Sequence, residues 1–148
     1  MLDTLHRIVH EVNVAPNLVD ALNVIVSRVK AAINADVCSV YLTDFDKRLH
    51  ILRATEGFNK DAVGKVKLPL HRGLVGLVAE RAEPVNVDDA VEHPRYLFST
   101  ETGETHYHGF LGVPIIQNRK VLGILVVRQK KPRKFDDDEV TFLFTLAA

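Results

Sequence analysis

Leu2, Leu5, Ile8, Val9 and Val12 recur three or four positions apart, the spacing that lays side chains along one stripe of a 3.6-residue helix. Pro16 interrupts the stripe, because it has no amide proton and turns Ala15 away from helical geometry. A second helix is predicted from Asn17, a good N-cap type, with Asp20 in the favourable first turn. Its apolar side carries Leu18, Leu22, Ile25, Val29 and Ile33, widened by Val19 and Val26, and Asn34 is suited to close it in a left-handed conformation.

The period shifts at residue 37. Residues 37–43 (VCSVYLT) and 49–55 (LHILRAT) are rich in β-branched and aromatic types, and the polar stretch between them predicts an antiparallel hairpin. Residues 65–70 read as a third strand ended by Pro69. Residues 73–81 (GLVGLVAER) read as a helix limited by Pro84. Gly73 and Gly76 each cost ~0.8–1 kcal/mol relative to alanine inside a helix, so they mark something packed close to the backbone. Val85 and Val87 make a brief strand. Residues 88–109 form a polar connection of about twenty residues, far longer than the usual four to six, and such connections tend to carry function. Residues 110–116 and 121–128 then make the clearest hairpin, around Gln117, Asn118, Arg119 and Lys120. Four carboxylates, Asp136 to Glu139, precede Val140, Phe142, Leu143 and Leu146 and so mark a helix start. That helix stops at Ala147-Ala148 without an end signal, which leads us to expect a fragment of a longer protein.

The element order is α-α-β-β-β-α-β-loop-β-β-α, which predicts an α+β fold. A largely antiparallel sheet of about six strands would carry the terminal helices on one face, and the short helix and long loop over a pocket on the other. Composition agrees with one soluble domain: 148 residues, 47% hydrophobic and 26% charged. Nineteen basic residues cancel nineteen acidic ones, so no general attraction to nucleic acid or a membrane surface is expected. No apolar run is long enough to span a membrane and no signal core is visible, so we expect a cytoplasmic location. A single cysteine excludes an internal disulfide and any CxxC site.

Strand alternation sorts the candidate chemistry. Cys38, Val40 and Leu42 share one face of the first strand, suited to the terminal helices. Ser39, Tyr41 and Thr43 share the other, facing the long loop. Pockets are mostly apolar with a few polar groups and often lie under such loops. A carboxylate ligand would need a cation, and Arg53, Arg72, His106 and His108 are the candidates. Arg72 stands just before a helix start, where free amides already favour an anion. His106 and His108 would share a side if the backbone were a strand, but a zinc site needs a third or fourth ligand, so we assign no metal. His93-Pro94 reads as a turn, Asp88-Asp89 as a turn or cap without a catalytic partner, and KKPRK (130–134) as a solvated hairpin exit. Cys38 is expected to be buried and inert.

Four segments carry a family resemblance: VCSVYLTD (37–44), ATEG (54–57), RGLVGLVAERAEPVNVDDAVEHPRY (72–96) and FLGVPIIQNRKVLGILVVRQ (110–129). As a set they resemble a GAF domain over the whole chain. Within that family they look most like the GAF domains that open the nitrogen-related phosphoenolpyruvate–protein phosphotransferases, paralogues of enzyme I. The resemblance implies a GAF-like sensor that holds a small molecule between the sheet and the loop–helix face. Ser39, Thr55, Glu56, Leu74, Val75, Leu97 and His106 match cavity-lining positions. It further implies an effector of the glutamine or 2-oxoglutarate class, a homodimer through the terminal helices, and downstream phosphotransferase domains as partners. Catalysis, and the Mg2+ it would use, belong to the parent enzyme, leaving no catalytic residue and no cofactor in this chain. Two other readings use the same residues: a dimerisation cap that binds nothing, and a small thiol enzyme such as a sulfoxide reductase. The relatives with bilin or reductase chemistry use loop cysteines, which this chain lacks.

Overall fold

Asn17 accepts a hydrogen bond from the Asp20 amide at 2.9 Å, and Asn34 adopts φ 54° with its own amide bonded back to the helix, so both caps of the second helix form where the residue types call for them. In this computed structural model, residues 2–98, 103 and 105–148 are described. They form α1 (Leu2–Val14), α2 (Leu18–Ile33), β1 (Val37–Asp44), β2 (Leu49–Glu56), β3 (Lys67–Pro69), α3 (Gly73–Arg81), β4 (Val85–Val87), β5 (Gly109–Gln117), β6 (Lys120–Gln129) and α4 (Asp137–Ala147). Asp136 caps α4 with a reciprocal capping box to Glu139. The third strand is shorter than the 65–70 expected, because residues 60–62 form a 3₁₀ turn whose Ala62 carbonyl receives the Lys65 and Val66 amides.

The sheet has six strands in the order β3-β2-β1-β6-β5-β4, every neighbour antiparallel. One core lies between it and α1, α2 and α4, gathering Ile8, Val26, Val29, Cys38, Val40 and Leu143. The other lies beneath α3 and holds Tyr41, Leu52, Val75, Val78, Phe110 and Ile124. The alternation along β1 therefore delivers Val40 to the helices and Tyr41 to the opposite face. Its pairing with β2 slips between Val40 and Tyr41, which face Ala54 and Leu52, so Arg53 is the extra residue of a bulge. Gly76 explains itself: a Cβ there would stand 2.7 Å from the His71 carbonyl carbon, since α3 packs against the segment that leads into it.

In the basic run after β6, Lys130, Lys131, Pro132 and Lys134 are exposed, as expected of a solvated exit, but Arg133 is not. Arg133 donates from Nη2 to the Ile33 carbonyl at 2.9 Å and to Glu139 at 2.7 Å. It also donates from Nη1 to the Asn34 carbonyl and the Gln129 side chain, both at 3.0 Å. It thereby satisfies the carbonyls at the end of α2 and fastens them to the start of α4. Of the wide N-terminal apolar face, Val26 is buried and Val12 packs against the core, but Val9 and Val19 are 42% and 65% exposed. Among the described residues no helix is long and apolar enough to cross a membrane.

Candidate ligand cavity

On the α3 side of the sheet, the connection after β4 crosses back over Tyr41. It is tied down at both ends. His108 Nδ1 lies 2.7 Å from Asp89, and the His108 amide donates to the Gln129 carbonyl at 2.9 Å. The Arg95 side chain donates to the His71 carbonyl at 2.6 Å and to Glu80 at 3.3 Å, clipping the strap to the start of α3. His93 accepts the Arg95 amide on Nδ1 at 3.0 Å, the turn expected at His93-Pro94. The two arms of the strap also meet: Tyr96 and His106 share a hydrogen bond of 2.6 Å, and the Phe98 ring stacks on His106 with centroids 4.0 Å apart.

Beneath the strap is a cavity of about 80 Å³. Its aromatic wall is Tyr41, Phe58, Tyr96, Phe98, Tyr107 and Phe110, and Val66, Leu68, Leu74, Val75 and Leu97 supply the aliphatic remainder. Gly73 lies in the lining at φ 69°, and a Cβ there would press on Leu97 at 3.2 Å, so glycine lets the strap approach α3. Arg128 enters from β6. Its guanidinium carbon is 5.0 Å from the Phe58 ring centroid, 5.6 Å from Phe110 and 5.8 Å from Tyr41. Nη2 donates to the Tyr41 hydroxyl at 3.2 Å, while Nη1 is buried and, among the described residues, has no hydrogen-bond partner. Burial raises the pKa of the Tyr96 and Tyr107 phenols, and the nearby Arg128 charge opposes that rise in both.

Of the residues singled out in the sequence, Tyr41, Leu74, Val75 and Leu97 line this cavity. Ser39 and Thr55 do not reach it. Their hydroxyls bond each other at 2.9 Å across β1 and β2 and are fully buried there. Glu56 turns outward to Lys60 at 2.7 Å. Arg53, the bulge residue, and Arg72, the N-cap of α3, are both exposed. His106 and His108 belong to the strap rather than the lining, because residues 105–108 are irregular and the strand alternation that would aim both imidazoles together does not apply. Among the described residues no three His, Cys, Asp or Glu side chains converge on one point. Cys38 is fully buried and burial pushes its thiol pKa far up, which leaves no nucleophilic thiolate. Sequence reasoning missed Arg128, Phe58 and Arg95; the signal for Arg128 was a charge at the end of the apolar run 121–127.

A sequence model of the GAF domain matches residues 17–148. The phosphoenolpyruvate-dependent phosphotransferase system protein of Escherichia coli K12 is 46% identical over 147 residues, 99% of this chain and 20% of the relative. The chain thus spans about a fifth of the length of the curated relatives it matches. Solved structures of two GAF domains from phosphoenolpyruvate-protein phosphotransferases resemble it throughout. That of Coxiella burnetii is 46% identical with a TM-score of 0.94, covering 99% of this chain and 87% of its own. That of Acinetobacter is 46% identical with a TM-score of 0.93 and the same coverage. With the antiparallel sheet, the helix layer and the roofed cavity in place, the chain belongs to the GAF domain family, as a GAF domain of the kind found in phosphoenolpyruvate-protein phosphotransferases.

Proposed function

We propose that this chain is the regulatory, small-molecule-sensing module of a phosphoenolpyruvate-protein phosphotransferase of the nitrogen phosphotransferase system, working in the cytoplasm. The observation that carries the reading is the aromatic cavity roofed by a strap whose two arms are held by a few polar contacts. An effector of the glutamine or 2-oxoglutarate class would bind beneath the strap, bias its order, and alter how the terminal helices pack. Phosphoryl transfer by the downstream domains, with their Mg2+, would respond. Coupling of this kind is typically worth ~1–3 kcal/mol and cannot exceed the ligand's differential affinity for the two states. The module would work as a homodimer, because Leu2, Val14, Leu18 and Val19 on α1 and α2 are all more than 60% exposed, at 64%, 65%, 63% and 65%.

The same exposed apolar side chains favour a second reading, a dimerisation cap that binds nothing. Titration calorimetry and thermal melts with glutamine and 2-oxoglutarate decide between them. Heat and a raised melting temperature with either compound support the sensor. No heat and no shift with both, in a chain that light scattering finds dimeric, supports the cap.

A further inference from the structure

We infer that Arg128 makes the cavity a receptor for a compact monocarboxylate, whose carboxylate docks on the guanidinium and whose uncharged remainder lies against the aromatic wall; this rests on the sensor reading above and replaces its glutamine or 2-oxoglutarate effector with a singly charged acid. The argument begins with an unsettled charge. Three ring faces surround the guanidinium at 5.0–5.8 Å, and they stabilise its positive charge through their quadrupoles. Ring faces do nothing for the in-plane N–H bonds, which need acceptor oxygens. Nη2 has one in Tyr41, whereas Nη1 has none among the described residues and is shut off from solvent. Among the described residues Arg128 has no acidic partner either. A half-buried cation with a donor cut off from water and left without an acceptor is costly unless an anion completes it, and Arg128 lines the cavity in which such an anion would sit.

Size and polarity narrow the class. An enclosed water needs roughly 10–15 Å³ of such volume, so about 80 Å³ has room for roughly five to eight water-sized groups. That suits a short-chain or 2-oxo acid of a few carbons. The single guanidinium in the lining offers one bidentate docking point, enough for one carboxylate. Aromatic and aliphatic side chains form most of the rest of the lining, which suits a ligand with no second charge. The Tyr96 and Tyr107 phenols, held neutral by burial, add no competing negative charge to the space.

The test compares butyrate and 2-oxobutyrate with the neutral isostere butyramide, by thermal shift and calorimetry, on the protein and on Arg128→Gln and Tyr41→Phe variants. Butyrate or 2-oxobutyrate at up to about 20 mM should stabilise the protein where butyramide does not, and Arg128→Gln should weaken acid binding by about tenfold or more. Tyr41→Phe keeps the guanidinium and frees Nη2, so it should retain acid binding even if the glutamine variant folds poorly. Equal shifts by acid and amide, acid binding undiminished in a folded Arg128→Gln, acid binding lost in Tyr41→Phe, or no acid binding at all would overturn the assignment. Binding of glutamine or 2-oxoglutarate that survives in Arg128→Gln would leave the sensor reading standing while removing this one.

Discussion

Arg133 and Glu139 meet at 2.7 Å, from Nη2 to a carboxylate oxygen, and the same Nη2 also donates to the last carbonyl of α2. Glu139 is itself held by the α4 capping box, accepting the Asp136 amide at 2.9 Å on its other oxygen. The pair is largely buried, with side-chain exposures of 26% and 15%, so water does little to replace it. One side chain thus joins the end of α2, the exit of β6 and the start of α4.

Arg133→Met should therefore destabilise the fold by roughly 2–4 kcal/mol, since it leaves a carboxylate and two helix-end carbonyls without their donor. Lys131→Met, at an exposed site two residues earlier, should fall within about 0.5 kcal/mol of the parent. Urea unfolding of the two variants checks this contrast. Equal losses would mean that Arg133 contributes only general charge.

Gly76→Ala offers a test in which two effects have opposite signs. Helix propensity alone favours alanine by about 1 kcal/mol at a mid-helix glycine. A Cβ at Gly76 would stand 2.7 Å from the His71 carbonyl carbon and 3.0 Å from the Leu70 oxygen, and both belong to backbone that cannot rotate away. Overpacking should win, with a net loss of roughly 1–3 kcal/mol in chemical denaturation. A variant more stable than the parent would show that α3 can move off the preceding segment at little cost.

The local signals were legible because they act over a few residues. Asn17, Asn34 and Asp136 cap helices through their own side chains or backbone, and the alternation that separates Val40 from Tyr41 follows from pleating. Arg128 and Arg133 were not legible, since their partners are far away in the chain. Arg128 reaches Tyr41 across 87 positions and Arg133 reaches Ile33 across 100. A charged residue beside a turn is normally solvated, and only the folded neighbours reverse that expectation. Arg53 was displaced by a bulge, and His106 by irregular backbone; periodicity has no power over either.

His50 sets the pH dependence that follows from the fold. Its Nε2 lies 3.0 Å from the Leu70 carbonyl, which can only accept, so Nε2 carries the proton and Nδ1 accepts from the Thr43 hydroxyl at 2.8 Å. Burial lowers its pKa below the usual 6.5, the hydrogen bond to Leu70 partly opposes this, and nearby His71 adds a small further lowering. The unfolded chain then takes up a proton near pH 6.5 while the folded one still resists it. Stability should be fully present above pH 6.5 and fall as pH drops from there towards the lowered folded value, by at most about 1.4 kcal/mol per pH unit from this group. His50→Gln keeps an amide donor for Leu70 but cannot titrate, so its stability curve should be flatter than the parent's between about pH 6.5 and 5. Urea midpoints across that range measure the difference. Parallel curves for the two proteins would show that protonation of His50 costs the native state nothing, and that the link from β2 to the segment before α3 tolerates a charged imidazole.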